Sequence, residues 1–309
     1  MWTSADIPDQ HGRVALITGA NSGLGFQTAR ALAGSGAVVV LACRNQTKGA
    51  EALARVTAEH PRATIELLEL DLADLGSVRK AANDTLARHA RLDLLVNNAG
   101  VMAIPHHTTV DGFEMQLGTN HLGHFALTGL LIDRLLATEG SRVVSVSSTA
   151  HKWGRMRFDD LQSEKRYRKW LAYGQSKLAN LLFMRELQRR LTASGASTIA
   201  AAAHPGYAST HLQAVGPEMA GSRVMARIMP VANRILSQPD EQGALPQLYA
   251  ATAADVVGGD YFGPDGRFEM QGGPTRVKTS AAARNDEHAR RLWRMSENLT
   301  GVTFDQLAG

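Results

Sequence analysis

Tyr173 and Lys177 stand four residues apart at the head of an apolar stretch, 176–191, whose pattern predicts a helix. At that separation the two side chains lie on one helix face. A free phenol titrates at about pH 10 and a neighbouring ammonium favours its phenolate, so Lys177 should draw the Tyr173 proton toward working pH. Taken alone, a Tyr-x-x-x-Lys pair describes many solvated helix surfaces, and its weight comes from what precedes it. Ser147 and Ser148 close one predicted strand, Asn97-Asn98-Ala99-Gly100 closes another, and Asn120 falls in a helical stretch at 115–127. Earlier still, Thr18-Gly19-Ala20-Asn21-Ser22-Gly23-Leu24-Gly25 follows the first apolar run directly and leads into a helix at 26–32. Glycines there let the backbone turn sharply and approach a pyrophosphate, while the N–H groups and positive dipole end of the following helix face the anion. The glycine spacing, three residues and then one, differs from the usual Gly-x-Gly-x-x-Gly pattern, and a lone glycine turn is weak by itself. The combination in this order is what is hard to obtain by accident.

These side chains need a scaffold, and the apolar pattern supplies one. Six apolar runs, at 14–17, 37–42, 64–70, 92–96, 142–146 and 197–203, recur with helix-like stretches between them. Because they read as continuous Val, Ile, Leu and Ala rather than as alternation, both faces of each strand should be covered, which predicts an α/β fold with a doubly wound parallel sheet. No Pro/Ser-rich linker, block of like charges or internal repeat marks a boundary, so residues 1–309 read as one domain. With 44% hydrophobic and 20% charged residues, the chain can bury a sizeable core, which excludes disorder and collagen-like repetition. The single cysteine, Cys43, cannot close an intramolecular disulfide or build a cysteine metal cage and argues for a reducing compartment. A net charge of +4 does not call for nucleic acid or a membrane surface. Met1 to Gln10 hold two aspartates and no apolar core, and no apolar run reaches the length of a membrane span, so the expectation is a soluble, cytoplasmic protein without stable membrane insertion.

Two segments break the strand–helix rhythm. Residues 149–171 carry Arg155, Arg157, Lys165, Arg166, Arg168 and Lys169 and read as an inserted surface loop; no aromatic stacking platform accompanies the charges, so a solvated face is expected rather than a nucleic-acid patch. Residues 210–247 place Met225, Ile228, Met229, Ala232, Ile235 and Leu236 on one side of a helix and Arg223, Arg227 and Arg234 on the other, with Pro230 bending or breaking it. Adaptable methionines facing inward predict a lid over a substrate pocket; a fixed surface helix and a membrane-touching helix are the other readings. His121 and His124 have no carboxylate at a matching helical offset, so no metal site is expected of them.

In its glycine turn, its Asn97 to Gly100 segment, its Asn120, Ser148, Tyr173 and Lys177 set, and His204-Pro205-Gly206 after the sixth run, the sequence resembles the short-chain dehydrogenase/reductase family. The segments Ala42-Cys43-Arg44, Asp160 to Tyr167 and Ala172 to Asn180 look like its retinol dehydrogenase-like branch, although from the opening residues no hydrophobic N-terminal anchor like that of the branch's membrane-bound members is expected. The resemblance implies a Rossmann-like fold and hydride transfer between a nicotinamide cofactor and a carbonyl/alcohol pair. Such a transfer leaves an alkoxide that must gain a proton, which is the task for Tyr173, with Ser148 hydrogen-bonding the same oxygen. The resemblance further implies that Lys177 holds the nicotinamide ribose hydroxyls, and that Asn120 anchors a water that restores the Tyr173 proton. It places Gly19, Asn21, Ser22, Gly23, Leu24 and Gly25 around the pyrophosphate, Asp71 and Leu72 beside the adenine, Asn98, Ala99 and Gly100 along the ribose, Thr210 at the carboxamide, and Pro205 and Gly206 on the cofactor as well.

The end of the second strand decides between NAD and NADP. An acid there would pair with a free ribose 2′-hydroxyl and repel a 2′-phosphate, but Leu41-Ala42-Cys43-Arg44 holds none, and Arg44 can form charge-assisted bonds with the phosphate. NADP(H) is therefore expected over NAD(H), acting on a fairly apolar small molecule. A nucleotide-sugar epimerase would need a larger C-terminal sugar domain and another glycine spacing. A non-catalytic dinucleotide sensor or scaffold would show a broken Asn, Ser, Tyr, Lys set. Substrate identity and oligomeric state, homo-oligomer included, stay open at this level.

Overall fold

The computed structural model describes residues 1–206 and 239–307. One sheet of eight strands, ordered β3-β2-β1-β4-β5-β6-β7-β8, runs through it. The strands are β1 Val14–Thr18, β2 Val38–Cys43, β3 Ile65–Glu69, β4 Leu94–Asn97, β5 Arg142–Val146, β6 Ile199–Ala203, β7 Tyr261–Pro264 and β8 Pro274–Arg276. Neighbours are parallel as far as β7, and β8 pairs antiparallel to it. The six expected strands are in place within a residue or two; β7 and β8 are additions that the sequence reading lacked.

Along β1, Val14 and Leu16 enter one hydrophobic core while Ala15 and Ile17 enter another on the opposite face of the sheet. All five of its residues are buried, which is why the run reads as continuous rather than alternating. Helices α1 Gly23–Gly34 and α2 Gln46–Glu59 cover one face together with α6 Asp240–Thr252. The other face is covered by α3 Leu75–Arg88, α4 Gly123–Leu136, α5 Lys169–Ala193 and α7 Asp286–Thr300. There Phe125, Phe183, Trp293 and Phe304 pack edge-on and stacked, with the Trp293 and Phe304 rings 4.5 Å apart. No helix among the described residues is long and apolar enough to cross a membrane.

The two irregular segments differ from expectation in part. Residues 149–171 are not simply a surface loop: short 3₁₀ turns at Thr149–Lys152 and Phe158–Asp160 bury His151 and Leu161, and α5 already begins at Lys169. Arg155, Lys165, Arg166, Arg168 and Lys169 are exposed, but so are Trp153 and Trp170, each at 51%, so aromatic rings do accompany the charge. Of the expected lid, Met225 to Leu236 and Pro230 lie outside the described residues. Its last part, 240–247, opens α6, where Ala244, Leu245, Pro246 and Gln247 are buried, and Glu241, Gln242 and Leu245 line a cavity together with Arg267, Phe268 and Met270.

Candidate active site

In an open sheet of this order the chain reverses direction of growth between β1 and β4, and ligands settle outside the carboxyl ends of the strands at that switch point. The carboxyl ends of β1, β4, β5 and β6 carry the glycine turn, Asn97 to Gly100, Ser147 and Ser148, and His204 to Gly206. Gly19 and Gly23 adopt left-handed backbone at φ +66° and +55°. A Cβ on Gly19 would stand 3.0 Å from Ala99, and one on Gly25 would stand 2.6 Å from Asn98 Nδ2, with the Gly19 carbonyl oxygen nearer still. The turn, the first turn of α1 and the loop after β4 therefore leave a backbone-lined cradle that any side chain would fill. Ser22 is the N-cap of α1, its side chain accepts no bond from the helix, and Asn21 beside it is half-buried while Leu24 is buried. This open helix N-terminus is the kind of site that receives a phosphate, so the residues fit a dinucleotide.

The loop after β4 is held from beneath. Asn98 N–H and Ala99 N–H both donate to Thr18 Oγ1 at 2.9 Å, and Asn98 Nδ2 donates to the Thr18 carbonyl at 2.8 Å. Gln247 of α6 reaches Asn98 Oδ1 at 3.2 Å. Gly100 faces the candidate catalytic set: a Cβ there would stand 2.9 Å from Asn120 Oδ1 and 3.4 Å from Lys177 Nζ.

Asn120 lies on a turn, Gly118–Leu122, wound as a π-helix immediately before α4. Its Oδ1 accepts from Val101 N–H at 2.7 Å, and its Nδ2 donates to the Val101 carbonyl and to Ser176 Oγ, both at 2.9 Å. Ser176 in turn donates to the Tyr173 carbonyl at 2.8 Å, so the amide is tied directly to the first turns of α5. From the other side, Lys177 Nζ and Asn180 Nδ2 donate to the Val146 carbonyl at 3.2 and 3.0 Å, and Ser147 Oγ donates to the Lys177 carbonyl at 2.8 Å, pinning α5 to the end of β5. Ser148 caps the following 3₁₀ turn and is hydrogen-bonded to the Tyr173 side chain. Asn120, Ser148, Tyr173 and Lys177 thus converge, although 57 residues separate the first from the last.

The electrostatics depart from the sequence expectation. Burial pushes the Tyr173 phenol up to about 12, with the Ser148 hydrogen bond pulling the other way, and burial brings the Lys177 ammonium down to about 8. Lys177 Nζ is 5.8 Å from the Tyr173 ring centroid and bonds to the Val146 carbonyl instead of drawing the phenol proton away. Loss of water outweighs the charge at that distance.

The chain matches the short chain dehydrogenase family over residues 13–220. This chain belongs to that family. It is 41% identical over 305 residues to mouse retinol dehydrogenase 12, a match covering 98% of this chain and 90% of the relative. An uncharacterised protein from Mycobacterium paratuberculosis, known by its crystal structure, is 46% identical with a TM-score of 0.80 over 98% of both chains. A Shigella flexneri short chain dehydrogenase complexed with NADP shares the fold at TM-score 0.63 and 21% identity, covering 82% of this chain and 96% of that one. The short-chain dehydrogenase described here is accordingly an oxidoreductase acting on CH–OH and C=O groups.

The remaining expected residues are placed unevenly. Arg44, with 75% of its side chain exposed, stands just past β2 with its guanidinium 3.7 Å from Asp71 Oδ2. Asp71 Oδ1 accepts from Ala73 N–H at 2.9 Å, and buried Leu72 packs on Gly123, where a Cβ would stand 2.9 Å from it. Gly206 is left-handed at φ +66°, closed over by the Met270 carbonyl and by Pro264, with Pro205 preceding it. Thr210 lies outside the described residues. His121 and His124 are buried and bonded separately, to Ser296 and to Thr18 and Asn120. The sequence reading missed the supports: Thr18, His124 and Ser176, and a cluster beside the His204 turn in which Glu269 lies 3.2 Å from His204 Nε2 and 2.9 Å from Lys152 Nζ. Glu269, held by these partners at about 2, sits with Phe268 in left-handed backbone at φ +57° and +58°. No periodicity or spacing announces such a residue.

Proposed function

We propose that this short-chain dehydrogenase is an NADP(H)-dependent enzyme that interconverts a carbonyl and an alcohol on a fairly apolar small molecule. The convergence of Ser148, Tyr173, Lys177 and Asn120 beside the glycine cradle carries the reading. Bound in that cradle, a nicotinamide dinucleotide supplies or accepts the hydride. Tyr173, kept protonated by burial, gives its proton to the carbonyl oxygen, and Ser148 hydrogen-bonds the same oxygen and holds it in line. Lys177, still an ammonium at neutral pH, holds ribose hydroxyls, and Asn120 anchors the water that restores the Tyr173 proton. Gly19, Asn21, Ser22, Gly23, Leu24 and Gly25 take the pyrophosphate, Asn98 to Gly100 a ribose, Asp71 and Leu72 the adenine, and Thr210 the carboxamide, with Pro205 and Gly206 also on the cofactor. Arg44, largely solvent-exposed and only loosely opposed by Asp71, supports a preference for a 2′-phosphate. The name of the mouse relative and the half-exposed Trp170, whose ring centroid is 6.4 Å from that of Tyr173, support an apolar substrate.

The test is NADPH consumption by the purified protein against aliphatic, steroid, retinoid and quinone carbonyls. With the best of these, Tyr173→Phe should bind NADPH as before and lose at least about a hundredfold in turnover, since only the proton transfer is removed. Near-normal turnover by that variant would sink the assignment.

A further inference from the structure

We infer that His124, which the catalytic set does not include, is a positioning residue that locks the loop after β4 to Asn120 through a single ring tautomer. This rests on the reading above only for what Asn120 and the loop do; the hydrogen-bond argument stands without it. Thr18 Oγ1 accepts the backbone N–H groups of Asn98 and Ala99, each at 2.9 Å, so both of its lone pairs are engaged. Its one proton has two acceptors within reach, His124 Nε2 at 2.8 Å and the Val96 carbonyl at 3.4 Å, and the nearer is the better bond. Nε2 is therefore the bare nitrogen.

The other side of the ring gives the same answer independently. Nδ1 stands 3.0 Å from the Asn120 carbonyl, which can only accept, so Nδ1 carries the proton. Only the neutral Nδ1–H tautomer satisfies both neighbours. The flipped tautomer would set Nε2–H against the Thr18 hydroxyl proton and leave the Asn120 carbonyl facing a bare nitrogen. The ring is 2% exposed, so no water is at hand to repair either fault. Burial holds its pKa at about 4, in accord with the neutral ring.

The consequence is directional. Thr18 ends β1, Asn98 and Ala99 lie on the ribose side of the cradle, and Asn120 occupies a π-wound turn, an irregularity that recurs at functional sites. Through His124, the strand end and the cofactor-side loop are joined to the backbone of Asn120, the residue whose side-chain amide is bonded separately to Val101 and Ser176. With its backbone held by the ring, Asn120 reaches from its side-chain Nδ2 to Ser176 Oγ, which donates to the Tyr173 carbonyl. Loosening the ring should shift the loop and the amide relative to each other, which costs turnover more than it costs substrate binding.

The experiment combines histidine-selective 15N NMR of the wild-type protein at neutral pH with kinetics of His124→Phe and His124→Gln. The expected spectrum for His124 has a protonated Nδ1 and a bare Nε2, assigned by the signal lost in His124→Phe. His124→Phe keeps the bulk but neither bond, and should lower kcat at saturating substrate and NADPH at least about tenfold, with KM changed less than about threefold. His124→Gln, which retains a donor and an acceptor, should recover most of that loss. An Nε2–H tautomer, or a His124→Phe kcat within about threefold of wild type, would overturn the inference. Should His124→Phe not fold, Thr18→Val removes the hydroxyl while keeping its shape. It should mix the His124 tautomers and weaken NADPH binding, and an unchanged spectrum and affinity would refute the lock. If no carbonyl is reduced by the wild-type protein, the proposed function fails, while the tautomer and the NADPH affinity still decide the role of His124.

Discussion

Gly25→Ala is the substitution that separates a cofactor cradle from an ordinary glycine turn. The added methyl would stand 2.6 Å from Asn98 Nδ2 and 2.9 Å from the Gly19 carbonyl carbon, with the Gly19 oxygen closer than either. Contacts of this kind settle at roughly 3.5 Å, so the shortfall at Asn98 is about 0.9 Å. Two of the three opposing atoms are backbone of the turn and cannot rotate aside. The first turn of α1 must therefore back away from the end of β1, at a cost of about 1–3 kcal/mol in stability. A helix N-terminus that retreats so far loses at least one charge-assisted N–H bond to phosphate, worth about 1.5–3 kcal/mol, or about 10- to 150-fold in affinity. Gly140→Ala, outside the cradle, is the control: a Cβ there meets nothing within 4 Å, so it suffers only the left-handed strain at φ +66°, about 1–2 kcal/mol. The assay is NADPH fluorescence titration alongside thermal midpoints measured without cofactor. Gly25→Ala should weaken NADPH binding by the larger factor while both variants lose stability. If it binds NADPH as tightly as wild type at a lowered midpoint, the glycine serves packing alone and the cradle argument is wrong.

Arg44→Asp should turn the preference toward NAD(H), because a carboxylate at the end of β2 repels a 2′-phosphate and accepts from a free hydroxyl; an unchanged NADP/NAD affinity ratio would show that another residue reads the phosphate. Gly100→Ala, whose methyl would press on Asn120 Oδ1 at 2.9 Å and Lys177 Nζ at 3.4 Å, should lower turnover about tenfold and also lower the thermal midpoint, by steady-state kinetics and calorimetry. Lys177 has a lowered pKa of about 8, so its charge is present below that pH and lost above it, and carbonyl reduction should decline as pH rises through about 8. In Lys177→Arg, which stays charged throughout, residual activity should show no such decline; a decline unmoved in that variant would assign it to another group.

Most strands legible in the sequence are buried on both faces, with β3, where four of the five residues are not buried, the exception. β1 and β2 are almost wholly buried and read as unbroken apolar runs, whereas β7 is four residues ending in Gly263 and Pro264 and β8 is three residues, too short for any period. The candidate catalytic set could be named because its residue types stand in the order that the family resemblance gives, which a single chain displays without coordinates. Its supports could not: the Thr18 hydroxyl and the His124 ring are 106 residues apart, and nothing in either segment names the other. The direction of the Tyr173 shift was lost for a related reason. Spacing brings an ammonium onto the same helix face, but only the packed structure reveals that both groups have left water, and burial then governs.

That burial sets a condition on everything around Lys177. With its pKa at about 8, the ammonium keeps its charge at pH 7 by about one unit, or ~1.4 kcal/mol. A second cation packed nearby would consume that margin, and histidines are abundant in the surrounding core. His121, His124, His151 and His204 are all buried, and in each case burial is the leading cause of a lowered pKa. His124 also feels the repulsion of Lys177 itself. Each ring therefore stays neutral at physiological pH, where it serves as a donor and acceptor without adding charge. The same loss of water that keeps the Tyr173 proton in place also silences the imidazoles, so the site can hold one buried ammonium near one protonated phenol, the arrangement from which the proposed carbonyl reduction would start.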